Sequence, residues 1–96
     1  MIPFWVIGGI IAAIAIATLT ISVFVDNVKA FLTKHSLLYK VLKLCIKDIK
    51  TSNGCKTIKF DALDAYDETV VQDLEYKVDA DTEIDPKIYK GASIDI

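Results

Sequence analysis

The sequence predicts a membrane α-helical protein: one N-terminal transmembrane helix runs on into a basic amphipathic helix, and a small acidic C-terminal segment folds as a β-hairpin or short antiparallel sheet. Three observations lead there. An uncharged apolar run extends from Ile2 to Val25, apolar residues recur in heptads from Val28 to Ile49, and the two halves of the chain carry opposite charge. Residues 1–50 hold six Lys against Asp26 and Asp48, a balance of +4, whereas residues 51–96 hold five Lys against eleven acids, a balance of −6. Composition this uneven, with a mean hydropathy of +0.42, excludes an ordinary globule, a disordered chain and a disulfide-rich mini-protein. It also argues against a self-contained enzyme, because few residues remain outside the apolar block to enclose a pocket.

The first element, residues 1–25, reads as the transmembrane helix. A helix of about 20 apolar residues crosses a hydrocarbon core of roughly 30 Å, and the run from Ile2 to Val25 is long enough with a little tilt. Pro3 suits a first-turn position, where a missing N–H is harmless. Phe4 and Trp5 suit a headgroup boundary, so Trp5 is expected against lipid headgroups together with Lys29 and Lys34 beyond the span. A cleavable signal peptide ending at Ala15-Ile16-Ala17 competes, but no basic residue precedes the apolar run and the run continues past Ala17. Lys residues follow the run and none precedes it, which places the C-terminal region in the cytoplasm and the N-terminus outside the cell membrane. Within the run, Gly9, Ala13 and Ala17 repeat at four-residue spacing, beside a second small strip of Gly8, Ala12 and Ala15. Small residues so spaced let another helix approach closely.

The second element, residues 26–50, reads as a basic amphipathic helix. No Gly or Pro lies between Ile10 and Asn53 to stop a helix at the membrane surface. Val28, His35, Leu42 and Ile49 share one heptad position, with Phe31, Leu38 and Cys45 three residues later, and Lys29, Lys40, Lys43, Lys47 and Lys50 fall on the opposing stripe. The apolar arc exceeds half the circumference, more than a helix lying on a bilayer requires. Helix packing through Phe31, Leu38, Leu42 and Cys45 is therefore expected, against a second copy or a membrane-protein partner, with lipid contact for the first turns. His35 has no second His near it and reads as a packed residue. Cys45 and Cys55 lack metal or redox spacing and read as reduced thiols.

Thr51-Ser-Asn-Gly54 is the clearest stop in the chain, and residues 51–56 form the turn into the third element, residues 57–96. Thr57–Ala62 and Gln72–Asp79 alternate apolar and polar residues, which reads as two half-buried strands. A helical stripe through Leu63, Tyr66, Val70, Leu74 and Val78 remains open for residues 70–79. Asp79, Asp81, Glu83 and Asp85 alternate like the first ligands of a calcium loop, but Ile84 stands where the turn needs Gly and Lys90 where the closing acid belongs. No cofactor, metal site or nucleophile arrangement is expected, and the Lys residues lack the aromatic platform of a nucleic-acid surface. The expected function is non-enzymatic: assembly through the helices of a single-pass membrane protein, with the acidic segment binding a partner. A homo-oligomeric pore or membrane-permeabilising subunit, of the small phage or toxin kind, is the alternative.

Overall fold

A period of two organises the chain from Lys43 onward. Leu44 and Ile46, then Ile58, Phe60 and Ala62, then Leu74, Tyr76 and Val78 are all buried, and the residues between them point to the opposite face. In the computed structural model, which describes residues 6–7, 9–12 and 17–96, these segments form an antiparallel meander: β4 (Lys43–Ser52), β5 (Cys55–Leu63) and β6 (Thr69–Asp79). Cross-strand partners align the core in rows, with Ile46 opposite Phe60 and Phe60 opposite Leu74. Asn53 and Gly54 make the tight turn between β4 and β5, with φ of 52° and 76°. Positive φ at both central residues matches the right-handed strand twist, and Asn-Gly adopts it at little strain.

The meander's neighbours come from the two ends of the chain. β1 (Val6–Ile7) and β2 (Ile10–Ala12) both pair in parallel with β6, and β8 (Ser93–Asp95) pairs antiparallel with β4 on the far side. β3 (Thr18–Leu19) and β7 (Glu83–Ile84) form a separate two-stranded parallel ribbon. One helix, α1 (Ile21–Lys34), covers the apolar face of the sheet through Phe24, Val28 and Leu32, an i, i+4, i+8 stripe that is wholly buried. Phe24 meets Phe60 edge-on and Tyr76 at a tilt, each with centroids 5.2 Å apart. The Tyr76 hydroxyl accepts from the Asn27 side chain at 2.6 Å, so the one polar tip in this cluster is satisfied, and burial pushes its pKa up.

Two of the expected elements are overturned. The transmembrane helix over residues 1–25 is absent: Ile10–Ala12 and Thr18–Leu19 are strands, and α1 begins only at Ile21. Among the described residues no helix is long and apolar enough to cross a membrane. Local chemistry favours this outcome. The run is rich in β-branched Ile, Val and Thr, which suit a strand, and the Thr20 hydroxyl accepts from Val23 N–H to cap a helix that starts late. The basic amphipathic helix over residues 26–50 is likewise replaced. α1 stops at Lys34, Ser36 takes a φ of 58°, and Leu37 N–H reaches back to the Leu32 carbonyl at 2.8 Å, a closing motif of helix C-termini. A 3₁₀ turn (Leu38–Lys40) follows, and β4 occupies the remainder. The apolar arc was too wide for one helix because it merges two faces: a helical stripe before Ser36 and a strand face after Val41.

Candidate functional site

The residues expected to pack helices are dispersed by this fold, with one exception. Gly9 and Phe31 come together: a Cβ on Gly9 would stand 2.5 Å from the Phe31 ring, so the ring occupies the space that a side chain at position 9 would need. Phe31 in turn stacks against His35 at 4.5 Å. Ala17 is exposed, and its carbonyl accepts from Glu83 N–H at 3.0 Å. Leu38 packs half-buried in the 3₁₀ turn, Cys45 sits half-buried on β4 between Asp61 and Ser93, and Leu42 is 51% exposed. Lys29 and Lys34 lie on α1, one half-buried and one exposed in its last turn. Ala13 and Trp5 lie outside the described residues.

The alternating acids do not form a chelate. Asp85 turns away to the start of α1, where its Oδ2 accepts from Ile21 N–H and its Oδ1 from Lys87 N–H, both at 3.0 Å. Asp79, Asp81 and Glu83 flank an open hollow, and the Lys56 ammonium donates to the Thr82 carbonyl within that loop at 2.7 Å. Among the described residues no cluster of His, Cys, Asp or Glu could hold a metal ion. The outer face of the sheet is a field of ion pairs. Lys47 bridges Asp73 at 2.9 Å and Asp61 at 3.5 Å, and Asp73 N–H donates to Asp61 at 2.9 Å. Its neighbours hold the Lys47 ammonium above its usual range, Asp73 foremost.

An apolar concavity lies at the end of the sheet where β4 begins. It is a groove of about 410 Å³ between the 3₁₀ turn and the β5–β6 turn, with Tyr39, Lys40 and Leu42 on one wall and Asp64, Tyr66 and Glu68 on the other. Tyr39 is 77% exposed and Tyr66 85%. Both stand on hydrogen-bonded turns. The Asp64 carboxylate accepts from Tyr66 and Glu68 N–H at 2.8 and 3.0 Å, and Asp64 N–H donates to the Glu68 carbonyl. Lys43 and Asp67 form an ion pair beneath the turn, which raises the lysine's pKa. Leu42 is anchored on both sides, its N–H to Leu63 and its carbonyl from Ile96 N–H. The Lys40 nitrogen lies 5.5 Å from the Tyr39 ring centroid, within cation–π range.

The chain matches no protein-family model, no curated protein and no solved structure. Its function is therefore read from the molecule itself. The groove escaped the sequence reading because its walls lie some 25 residues apart. One local signal was present. Tyr66 stands between the two alternating stretches, Thr57–Ala62 and Gln72–Asp79, where a large aromatic finds no strand face to pack on.

Proposed function

We propose that this chain is a non-enzymatic interaction module, and that the groove between Tyr39 and Tyr66 takes an extended segment of a partner protein. The supporting observation is the pair of exposed tyrosines on hydrogen-bonded turns, with Leu42 lining the same groove. Tyrosine gives a large contact area with little conformational freedom to lose, which is why aromatic-lined grooves serve extended and proline-rich peptides. Asp64 and Glu68 on one wall favour a segment that carries a basic residue beside its apolar ones, and the −6 balance of residues 51–96 acts in the same sense.

Selection from a random displayed-peptide library tests this reading. Enriched peptides should pair apolar residues with Lys or Arg. Tyr39→Ala and Tyr66→Ala should each weaken their binding about tenfold or more, with Tm unchanged because neither ring supports the core. A library that yields no binder, or binders indifferent to both tyrosines, would remove the groove as the site.

A further inference from the structure

The two edges of the six-stranded sheet are built differently. On one side β8 covers only Lys43–Cys45 of β4, and what it leaves uncovered begins with a bulge and carries Lys47 and Lys50. Bulges and lysines are the usual devices that keep another strand from adding to an edge. On the other side β1 and β2 pair with β6, and among the described residues no strand pairs with their outer side. Glu75 N–H donates to the Gly9 carbonyl at 3.0 Å. With Ile10 opposite Glu75 and Ile11 opposite Tyr76 in this parallel ladder, the backbone groups of Gly9 and Ile11 face β6. Those of Ile10 and Ala12 face away. The Ile10 side chain is 62% exposed, on the charged face beside Glu75. The strands here are short, but neither charge nor proline guards this edge: no Lys or acid occurs from Ile2 to Val25, and the nearest Pro is Pro3.

We propose that this edge pairs with the same edge of a second copy, β2 against β2 in antiparallel sense, so that two sheets become one across a twofold axis. Charge selects the occupant. All 24 charged side chains of the chain lie after Val25, so β2 itself offers no ion with which to recruit an acidic or basic peptide, and the nearest, Glu75 and Lys77, stand one strand further in. A strand from a charged partner would lose solvation at this edge without an opposite charge to meet it. The second copy brings an equally uncharged strand, and a twofold interface needs only one self-complementary patch. Pairing Ile10 with the second copy's Ala12, and Ala12 with its Ile10, gives these outward N–H and C=O groups partners and covers the Ile10 side chain. This interface does not involve the tyrosine groove and stands independently of it.

Sedimentation velocity of the full chain over a dilution series is the test, combined with amide hydrogen exchange. Wild type should dissociate from dimer to monomer on dilution. Ile10→Lys places a charge on the edge, and Ile10→Pro removes an outward N–H while sparing the ladder to β6. Each should raise the dimer dissociation constant about tenfold or more, with the near-ultraviolet circular dichroism of the monomer unchanged. In wild type the Ile10 and Ala12 amides should be protected at high concentration and lose that protection on dilution, while the Ile11 amide stays protected throughout. That readout needs no variant. The proposal is overturned by a wild type that is monomeric at every concentration, or by a dimer in which Ile10 and Ala12 exchange as freely as in the monomer. Monomeric wild type that co-sediments with phosphatidylcholine–phosphatidylglycerol vesicles would assign the edge to lipid instead.

Discussion

Asp85 shows at the scale of one residue how this chain uses charge. Its carboxylate stands at the N-terminus of α1 and accepts two backbone N–H bonds, from Lys87 and from Ile21, which hold its pKa below the usual carboxylate range in that order of importance. It thereby ties the C-terminal loop to a helix that otherwise has no acid in its first turn. Because the folded-state pKa is depressed, the stabilisation is fully present above the unfolded value of about 3.9 and is lost as pH falls through the folded value. Asp85→Asn removes that dependence. Wild type should exceed the variant in Tm at neutral pH, and the two curves should converge as acid protonates Asp85. Thermal melts at stepped pH decide the matter, and curves that stay parallel into acid would show that Asp85 contributes no charged bond.

Among the elements, α1 meets the N-terminal segment through the Phe31 ring over Gly9. A methyl group on Gly9 would overlap the Phe31 ring, so Gly9→Ala requires Phe31 to swing out of its place over Gly9 and against His35. We expect Gly9→Ala to destabilise by about 1–3 kcal/mol through overpacking. In a Phe31→Ala background the same change should do much less harm, because the obstructing ring is gone. A double-mutant cycle by denaturant unfolding measures this coupling, and additive effects would mean that the helix does not sit over position 9. Gly9 and Phe31 are residues that small-residue spacing and heptad position singled out, yet what they pack is a strand under a helix. The Asn53–Gly54 turn and the alternation along β5 and β6 were legible because both are local patterns of period two or of a single dipeptide. The alternation of Lys43, Leu44, Cys45, Ile46 and Lys47 was present as well, but Leu42 and Ile49 fell in register with the stripe of α1 and hid it. The pairing of Ile10–Ala12 with Glu75–Lys77 could not be read, since nothing in an uncharged strand names a partner 65 residues away.

For the molecule as a whole, the uncharged run from Ile2 to Val25 is where composition misleads most. Apolar residues are stabilised by leaving water, whether lipid or protein covers them, so hydropathy alone does not choose between the two. The orientation drawn from Lys29 and Lys34 depends on a span, and the described residues contain none. Leu19 and Phe24 make the choice physical. Both belong to that run and both are fully buried in the core, Phe24 between Phe60 and Tyr76. A bilayer helix over the run would carry them into lipid, empty the space between α1 and the sheet, and break the bond from Ile21 to Asp85. Folding as seen here and insertion of this run are exclusive states, coupled by mass action. Phe24→Ala perturbs one side of that balance: it should destabilise the fold by about 3–5 kcal/mol while leaving the run uncharged. Mixed with neutral lipid vesicles, wild type should stay in the supernatant, and Phe24→Ala should co-sediment in proportion to its unfolded fraction measured by near-ultraviolet circular dichroism. Equal partitioning of the two proteins would break the coupling. So would wild type on the vesicles with its aromatic signal intact, because lipid would then be in contact with the folded surface while Leu19 and Phe24 remained in the core.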